Sequence, residues 1–286
     1  MKPPQYRLAV SYHDRDAAGL KYIYPVVSRR AGGVSVGINL NVNDACNWRC
    51  IYCQVPGLTR GSPPPVDVSL LEHELRQFLT ELVHGDFMEH RVPPESRRFN
   101  DIAFSGNGEP TSAREFPAVV EAVGRVMTDF ALAGRIKLVL ITNGSLIHHA
   151  RVQTGLMKMR PLGGEVWFKL DRATEAGIRA VNSTRTTIGK VLRNLRTAAA
   201  LCPTWIQTCM FQLDGLPPPS REVDAYLECL EKVTGEGLPL QGVMLYGVAR
   251  PSHQPEASRI SPLPIEWLEA LATRIRGLEL PCTVNP

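Results

Sequence analysis

Three cysteines fall within eight residues in the run Cys46-Asn-Trp-Arg-Cys50-Ile-Tyr-Cys53. Three thiolates so spaced can wrap one face of a metal centre, whereas a structural zinc or an ordinary [4Fe–4S] cluster takes four protein ligands. No fourth Cys or His lies nearby, since the next cysteine is Cys202 and the next histidine His73. One coordination position is therefore left open, and an open position is what catalysis at a metal requires. The other four cysteines, Cys202, Cys209, Cys229 and Cys282, are scattered through apolar or helical surroundings and read as small packed hydrophobes. The count of seven is odd and MKPPQYRLAVSYHDRD holds no apolar leader, so the expected location is cytoplasmic. Under reducing conditions a local cysteine cluster signals metal ligation rather than disulfides.

Further polar residues fall where chemistry could use them. In Ser105-Gly106-Asn107-Gly108-Glu109-Pro110-Thr111 the glycines let backbone carbonyls approach a ligand closely, and Glu109 offers an anion to an ammonium group. Thr142-Asn143-Gly144 and Lys169-Leu-Asp171 each end an apolar run, and period two puts Lys169 and Asp171 on one face. Gln207 and Arg250 could complete a ligand shell but read first as structural, and His73, His84, His90, His148 and His149 read as solvated.

The elements that must position these residues are legible in the periodicity. The 286 residues are 44% apolar and 21% charged with a net charge of +4, an ordinary globular composition without the strong basic excess of a dedicated nucleic-acid binder. No run approaches the length of a membrane span. Strand-like segments at 34–42, 101–105, 136–142, 165–171, 205–211 and 239–248 alternate with helical ones, the first helix showing Leu71, Leu75, Phe78, Leu79 and Leu82 on one face. Ser69 with Glu72 reads as its capping box. Six β-α units in order predict an α/β fold with a parallel sheet and right-handed crossovers. The pattern fits an open doubly wound sheet or a barrel, and either places the site at the C-terminal ends of the strands.

The C-x3-C-x2-C run, with aromatic Tyr52 before its last cysteine, resembles the signature of the radical S-adenosylmethionine (SAM) superfamily. The resemblance implies that Cys46, Cys50 and Cys53 hold three irons of a [4Fe–4S] cluster, with the amino and carboxylate groups of SAM on the fourth. It implies an enzyme that reductively cleaves SAM to methionine and a 5′-deoxyadenosyl radical, which abstracts a substrate hydrogen. The implied fold is a partial (β/α)6 barrel, in agreement with the six units counted above. Ser105–Thr111 resembles the superfamily's Gly-Gly-Glu segment, departing from it at Asn107. The implied SAM contacts are Tyr52, Gly108, Glu109, Asn143, Lys169 and Asp171.

Over about residues 34–255, runs such as INLNVNDACNWRCIYCQ and VWFKLDRATEAGIRAVN resemble one branch of that superfamily. The branch comprises compact iron–sulfur oxidoreductases related to the 4-demethylwyosine synthases, which build a tricyclic base in tRNA. Those tRNA enzymes carry a second cluster on upstream cysteines, and no cysteine precedes Cys46 here. A cysteine-rich insert, a cysteine-rich C-terminal extension and room for a cobalamin domain are also missing, which sets aside several other subclasses. The expected organisation is a lead segment 1–33, a partial barrel 34–250 and an extension 251–286 packed on it. A small-molecule or peptide substrate is expected, with a flavodoxin- or ferredoxin-type reductant. Two alternatives stand beside it. One is tRNA base modification of the wyosine type, using a basic patch around Arg29, Arg30, Arg49 and Arg60. The other is a non-catalytic iron–sulfur electron carrier or sensor, which would have no need of Glu109 or Lys169 and Asp171.

Overall fold

The structure, a computed structural model, describes residues 8, 18–28 and 32–286. Eight strands form one curled sheet, in the order in which the chain meets them. They are β1 (Ile23–Ser28), β2 (Gly33–Ile38), β3 (Phe99–Phe104), β4 (Lys137–Thr142), β5 (Gly164–Lys169), β6 (Thr204–Cys209), β7 (Leu240–Tyr246) and β8 (Cys282–Asn285). From β2 to β8 every neighbouring pair is parallel. The order never reverses, so there is no topological switch point and the doubly wound alternative is excluded. What remains is a half-barrel with its helices outside.

The helices of eight residues or more are α1 (Val68–His84), α2 (Phe116–Asp129), α3 (Ala150–Met159), α4 (Glu175–Asn182), α5 (Ile188–Leu201), α6 (Ser220–Gly235) and α7 (Ile265–Arg276). The outer face of the sheet packs against the helices and the inner face lines the lumen, where apolar Ala103, Val139, Trp167 and Met244 sit beside polar Ser35, Asp101 and Gln207. In β4, Leu138 and Leu140 join the core beneath the helices, while Val139 and Ile141 face the lumen with Ala103, Trp167 and Met244. The five apolar positions named for α1 are all buried.

Two local readings are corrected. The cap of α1 is Asp67, whose carboxylate accepts from Leu70 N at 3.0 Å. Ser69 therefore lies inside the helix, and Glu72 pairs with Arg76 and Arg125 instead of closing a capping box. A carboxylate one step before the first helical residue offers the orphan N–H groups an earlier acceptor. The expected strand 34–42 ends at Ile38, because Asn39 and Asn41 turn inward and bond the loop beyond.

The lead segment holds a strand that its composition did not announce. β1 runs antiparallel to β2 from Ile23↔Ile38 to Ser28↔Gly33. The Tyr24 ring lies across Gly37, where a Cβ would stand 2.1 Å from it, and its hydroxyl bonds Ser105 Oγ at 2.7 Å. Most of the rest of residues 1–33, with Arg29 and Arg30, lies outside the described residues. At the other end α7 and β8 continue the sheet, so the C-terminal extension is an added β-α repeat.

Candidate active site at the mouth of the half-barrel

The cysteine loop follows β2 and crosses the C-terminal ends of the strands. Cys46, Cys50 and Cys53 line one cavity of about 300 Å³ that reaches into the lumen. Tyr52, Gly108, Glu109, Asn143, Lys169, Gln207 and Arg250 border the same space. Sequence positions 46 to 250 thus converge on one site. Asp171, buried behind Tyr52, is the member of the expected set that does not reach the cavity wall.

The early strands hold the loop through glycines and amides. A Cβ on Gly108 would stand 2.1 Å from Ala45 O, so this position admits only glycine against the loop backbone. Asn107, the departure from Gly-Gly-Glu, donates its side-chain amide to Asp44 at 2.6 Å. Asp44 has φ 54°, and this bond fixes the loop in a left-handed turn just ahead of Cys46. Asn41 donates to Ala45 O at 2.9 Å, and Asn143 donates to Asn47 Oδ1 at 2.8 Å. Glu109 is almost fully buried. Its Oε1 accepts from Thr111 N, Thr111 Oγ1 and Thr142 Oγ1 at 3.1, 2.5 and 2.7 Å, and its Oε2 from Asn143 N at 2.7 Å. Burial raises its pKa above the ordinary glutamate value, and those bonds oppose the rise. Oε2 accepts one bond and keeps capacity for a cation.

The late strands hold the loop through ionisable groups. Tyr52 donates its hydroxyl to Asp171 Oδ2 at 2.5 Å, and Lys169 Nζ donates to Tyr52 OH at 2.8 Å and Tyr246 OH at 3.1 Å. Asp171 also accepts from Asn182 Nδ2 at 2.8 Å and from Cys209 N at 3.0 Å. Burial works against charge on Lys169, but Tyr246, Asp171 and Cys50 outweigh it and hold the pKa well above the ordinary lysine value. Burial, followed by Asp171, keeps Tyr52 a neutral phenol.

Sequence reasoning missed a strap. After β7, Ser252 Oγ donates to Ile51 O at 2.7 Å, His253 N to Cys53 O at 2.9 Å and Gln254 Nε2 to Val55 O at 3.1 Å. Arg49 forms a two-bonded pair with Glu256 at 2.7 and 2.8 Å. No motif marks Ser252, His253 and Gln254, because their partners are backbone carbonyls some 200 positions away. Of the basic patch, Arg49 is thus neutralised and Arg60 donates to Asn47 O and Ser183 O. Gln207 is 1% exposed and its Nε2 has no partner among the described residues.

Among the described residues no three His, Cys, Asp or Glu side chains converge on a position for one metal ion. The thiols instead rim a shared cavity, which suits the face of a polynuclear cluster better than the cage of a single zinc. Burial pushes the Cys46 and Cys50 thiols up to about 12 and about 11, so metal binding must displace their protons. Cys202, Cys229 and Cys282 are buried as packed hydrophobes are, whereas Cys209, equally buried, borders the cavity that the triad lines.

No protein-family model matches the chain. "UPF0026 protein slr1464" of Synechocystis sp. is 24% identical over 161 residues, which cover 56% of this chain and 52% of that protein. "GTPase Obg" of Brachyspira hyodysenteriae is 28% identical over 134 residues, 46% of this chain and 17% of that protein. The chain thus matches about half or less of these curated relatives. Among solved structures, TYW1 with a lysine–pyruvate adduct bound aligns with a TM-score of 0.56 at 13% identity, covering 86% of this chain and 74% of that one. A radical SAM methyltransferase from Sphaerobacter thermophilus gives 0.57 at 15% identity, covering 88% and 66%. SuiB of Streptococcus suis bound to SAM gives 0.53 at 10% identity, covering 89% and 47%. The chain has the fold of the radical SAM enzymes.

Proposed function

We propose that this chain is a radical SAM enzyme acting on a small molecule or peptide. The observation that carries the reading is convergence: three cysteines close in sequence share one cavity with the buried carboxylate of Glu109, and the further cysteine on that cavity, Cys209, is fully buried. When bound, a reduced [4Fe–4S] cluster supplies the electron that cleaves SAM to methionine and a 5′-deoxyadenosyl radical, which takes a hydrogen atom from the substrate. Cys46, Cys50 and Cys53 would hold three irons. Glu109 Oε2 and the backbone beside Gly108 would receive the ammonium group of SAM, with Asn143 alongside. Lys169, kept charged, and the neutral Tyr52 would face its carboxylate and ribose, while Asp171 acts through Tyr52.

The lumen below is lined by the apolar Ile141, Ala103 and Trp167 and by the Gln207 amide. The pairing of Arg49 with Glu256 leaves one cation fewer for RNA phosphates, which weighs against the tRNA alternative, while Arg60 stays exposed. A flavodoxin- or ferredoxin-type protein in the cytoplasm would supply electrons. No helix among the described residues is long and apolar enough to cross a membrane.

Anaerobic reconstitution followed by reductant and SAM tests the reading. About four irons per chain and 5′-deoxyadenosine are expected, and both should be lost when the three cysteines become alanine. A loaded cluster that never cleaves SAM would leave an electron carrier. About eight irons would mean that the scattered cysteines bind a second cluster.

A further inference from the structure

The last turn of α4 docks on the cysteine loop on both sides of Cys50. Asn182 O accepts from Arg49 N at 3.3 Å, and Val181 O accepts from Ile51 N at 2.9 Å. The side chain of Asn182 reaches Cys50 itself, with Nδ2 3.2 Å from Sγ. The same nitrogen donates its other N–H to Asp171 Oδ2 at 2.8 Å. Asn182 is 2% exposed, so the amide cannot exchange this sulfur for water. Asp171 is fixed in turn, by Tyr52 on Oδ2 and by Cys209 N on Oδ1. The helix ends at this point, with Ser183 at φ 49° closing it through a bond to Arg179 O. The amide is therefore aimed by a helix terminus, a carboxylate and two backbone bonds.

We propose that Asn182 is a positioning residue that raises the reduction potential of the iron–sulfur cluster by donating a hydrogen bond to the Cys50 sulfur. The inference rests on the cluster assignment above. Adding an electron to a cluster makes its sulfur ligands more negative, so a donor aimed at one of them stabilises the reduced form more than the oxidised form. Orienting partners of metal ligands act in this way. The Asp171 carboxylate holds the amide in place, and Lys169 offsets its negative charge two bonds away through Tyr52.

The test uses the full chain, reconstituted anaerobically without SAM, as wild type and as Asn182→Leu and Asn182→Ser. Leucine keeps most of the volume without a donor, and serine is too short to span both partners. Potentiometric titration read by the EPR signal of the reduced cluster gives the midpoint. Both variants should load iron like the wild type and titrate at lower potential. At a fixed poise their reduced-to-oxidised ratio should fall about two- to tenfold, the range carried by one neutral hydrogen bond. Midpoints equal to the wild type in loaded variants would overturn the inference. Loss of folding or of iron in both variants would also overturn it, since Asn182 would then be a scaffold residue. A wild-type chain that takes up no cluster would instead sink the proposed function.

Discussion

On the side of β3 and β4, the cysteine loop is held by shape and neutral amides: Gly108 against Ala45, Asn107 on Asp44, and Asn143 on Asn47. On the side of β5 to β7 it is held by ionisable groups, with Tyr52, Asp171 and Lys169 in one chain of bonds and Asn182 joining that chain to Cys50. The difference teaches a division of labour. The early flank fixes where the loop lies, through one close backbone approach that tolerates no added atom and two side-chain amide bonds. The late flank sets the potential around the sulfur atoms, since its groups carry or border charge at full burial, where charge is weakly screened.

Gly108→Ala should give the largest effect, because the new Cβ meets a backbone oxygen that has nowhere to go. A loss of about 3 kcal/mol in urea unfolding is expected from overpacking of this kind, together with iron stoichiometry near zero. Normal iron loading in that variant would show that the early flank does not place the loop.

Glu109→Gln comes next, because it keeps the shape and most of the bonds but removes the charge. SAM affinity, measured by equilibrium dialysis on the loaded protein, should fall about ten- to a hundredfold, the equivalent of a charged hydrogen bond. The pH dependence has a definite sign. Glu109 must be ionised to hold an ammonium, and burial raises its pKa above 4.5. Affinity is therefore full above that raised pKa and declines as pH falls through it, beginning at a higher pH than an ordinary glutamate would give. A flat profile in the wild type would remove Glu109 from the ammonium site.

Tyr52→Phe should leave iron loading intact and cost about 1–3 kcal/mol in unfolding, because Asp171 loses its phenol donor and Lys169 an acceptor inside the protein. If it abolished loading, the late flank would also be placing the loop, and the two-flank distinction would fail. The smallest effect is expected for Arg49→Ala. Arg49 and Glu256 have side-chain exposures of 30% and 21%, so screening by water limits their pair to under about 1 kcal/mol. RNA affinity should not change either, because this guanidinium faces Glu256. A marked drop in tRNA binding would revive the base-modification alternative.

Six of the seven parallel strands were legible as apolar or alternating runs, because the segments between them carry helical periodicity. The three cysteines and Glu109 were legible because their chemistry depends on residue type and on short spacing. Asn39 and Asn41 read as the polar positions of a strand, since alternation alone cannot tell a solvent-facing residue from one that turns inward to bond a loop. β1 was missed because its run IYPVVS contains a proline and lies among turn signals, and its register depends on Gly37 leaving room for Tyr24.

By itself, the sequence determined the order of the elements, the end of the sheet where the site lies, and a local cysteine triad with the spacing of metal ligands. Tertiary structure decided the rest. It chose a curled sheet over a doubly wound one, because strand order is a property of pairing and not of periodicity. It brought Asn182 to Cys50 across 132 positions and the Ser252–Glu256 strap to the loop across about 200, contacts that depend on where a helix ends and on carbonyl oxygens every residue possesses. It also turned Arg49 from part of a prospective basic surface into a tie to Glu256, because a charge in a sequence has no direction until the fold gives it a partner.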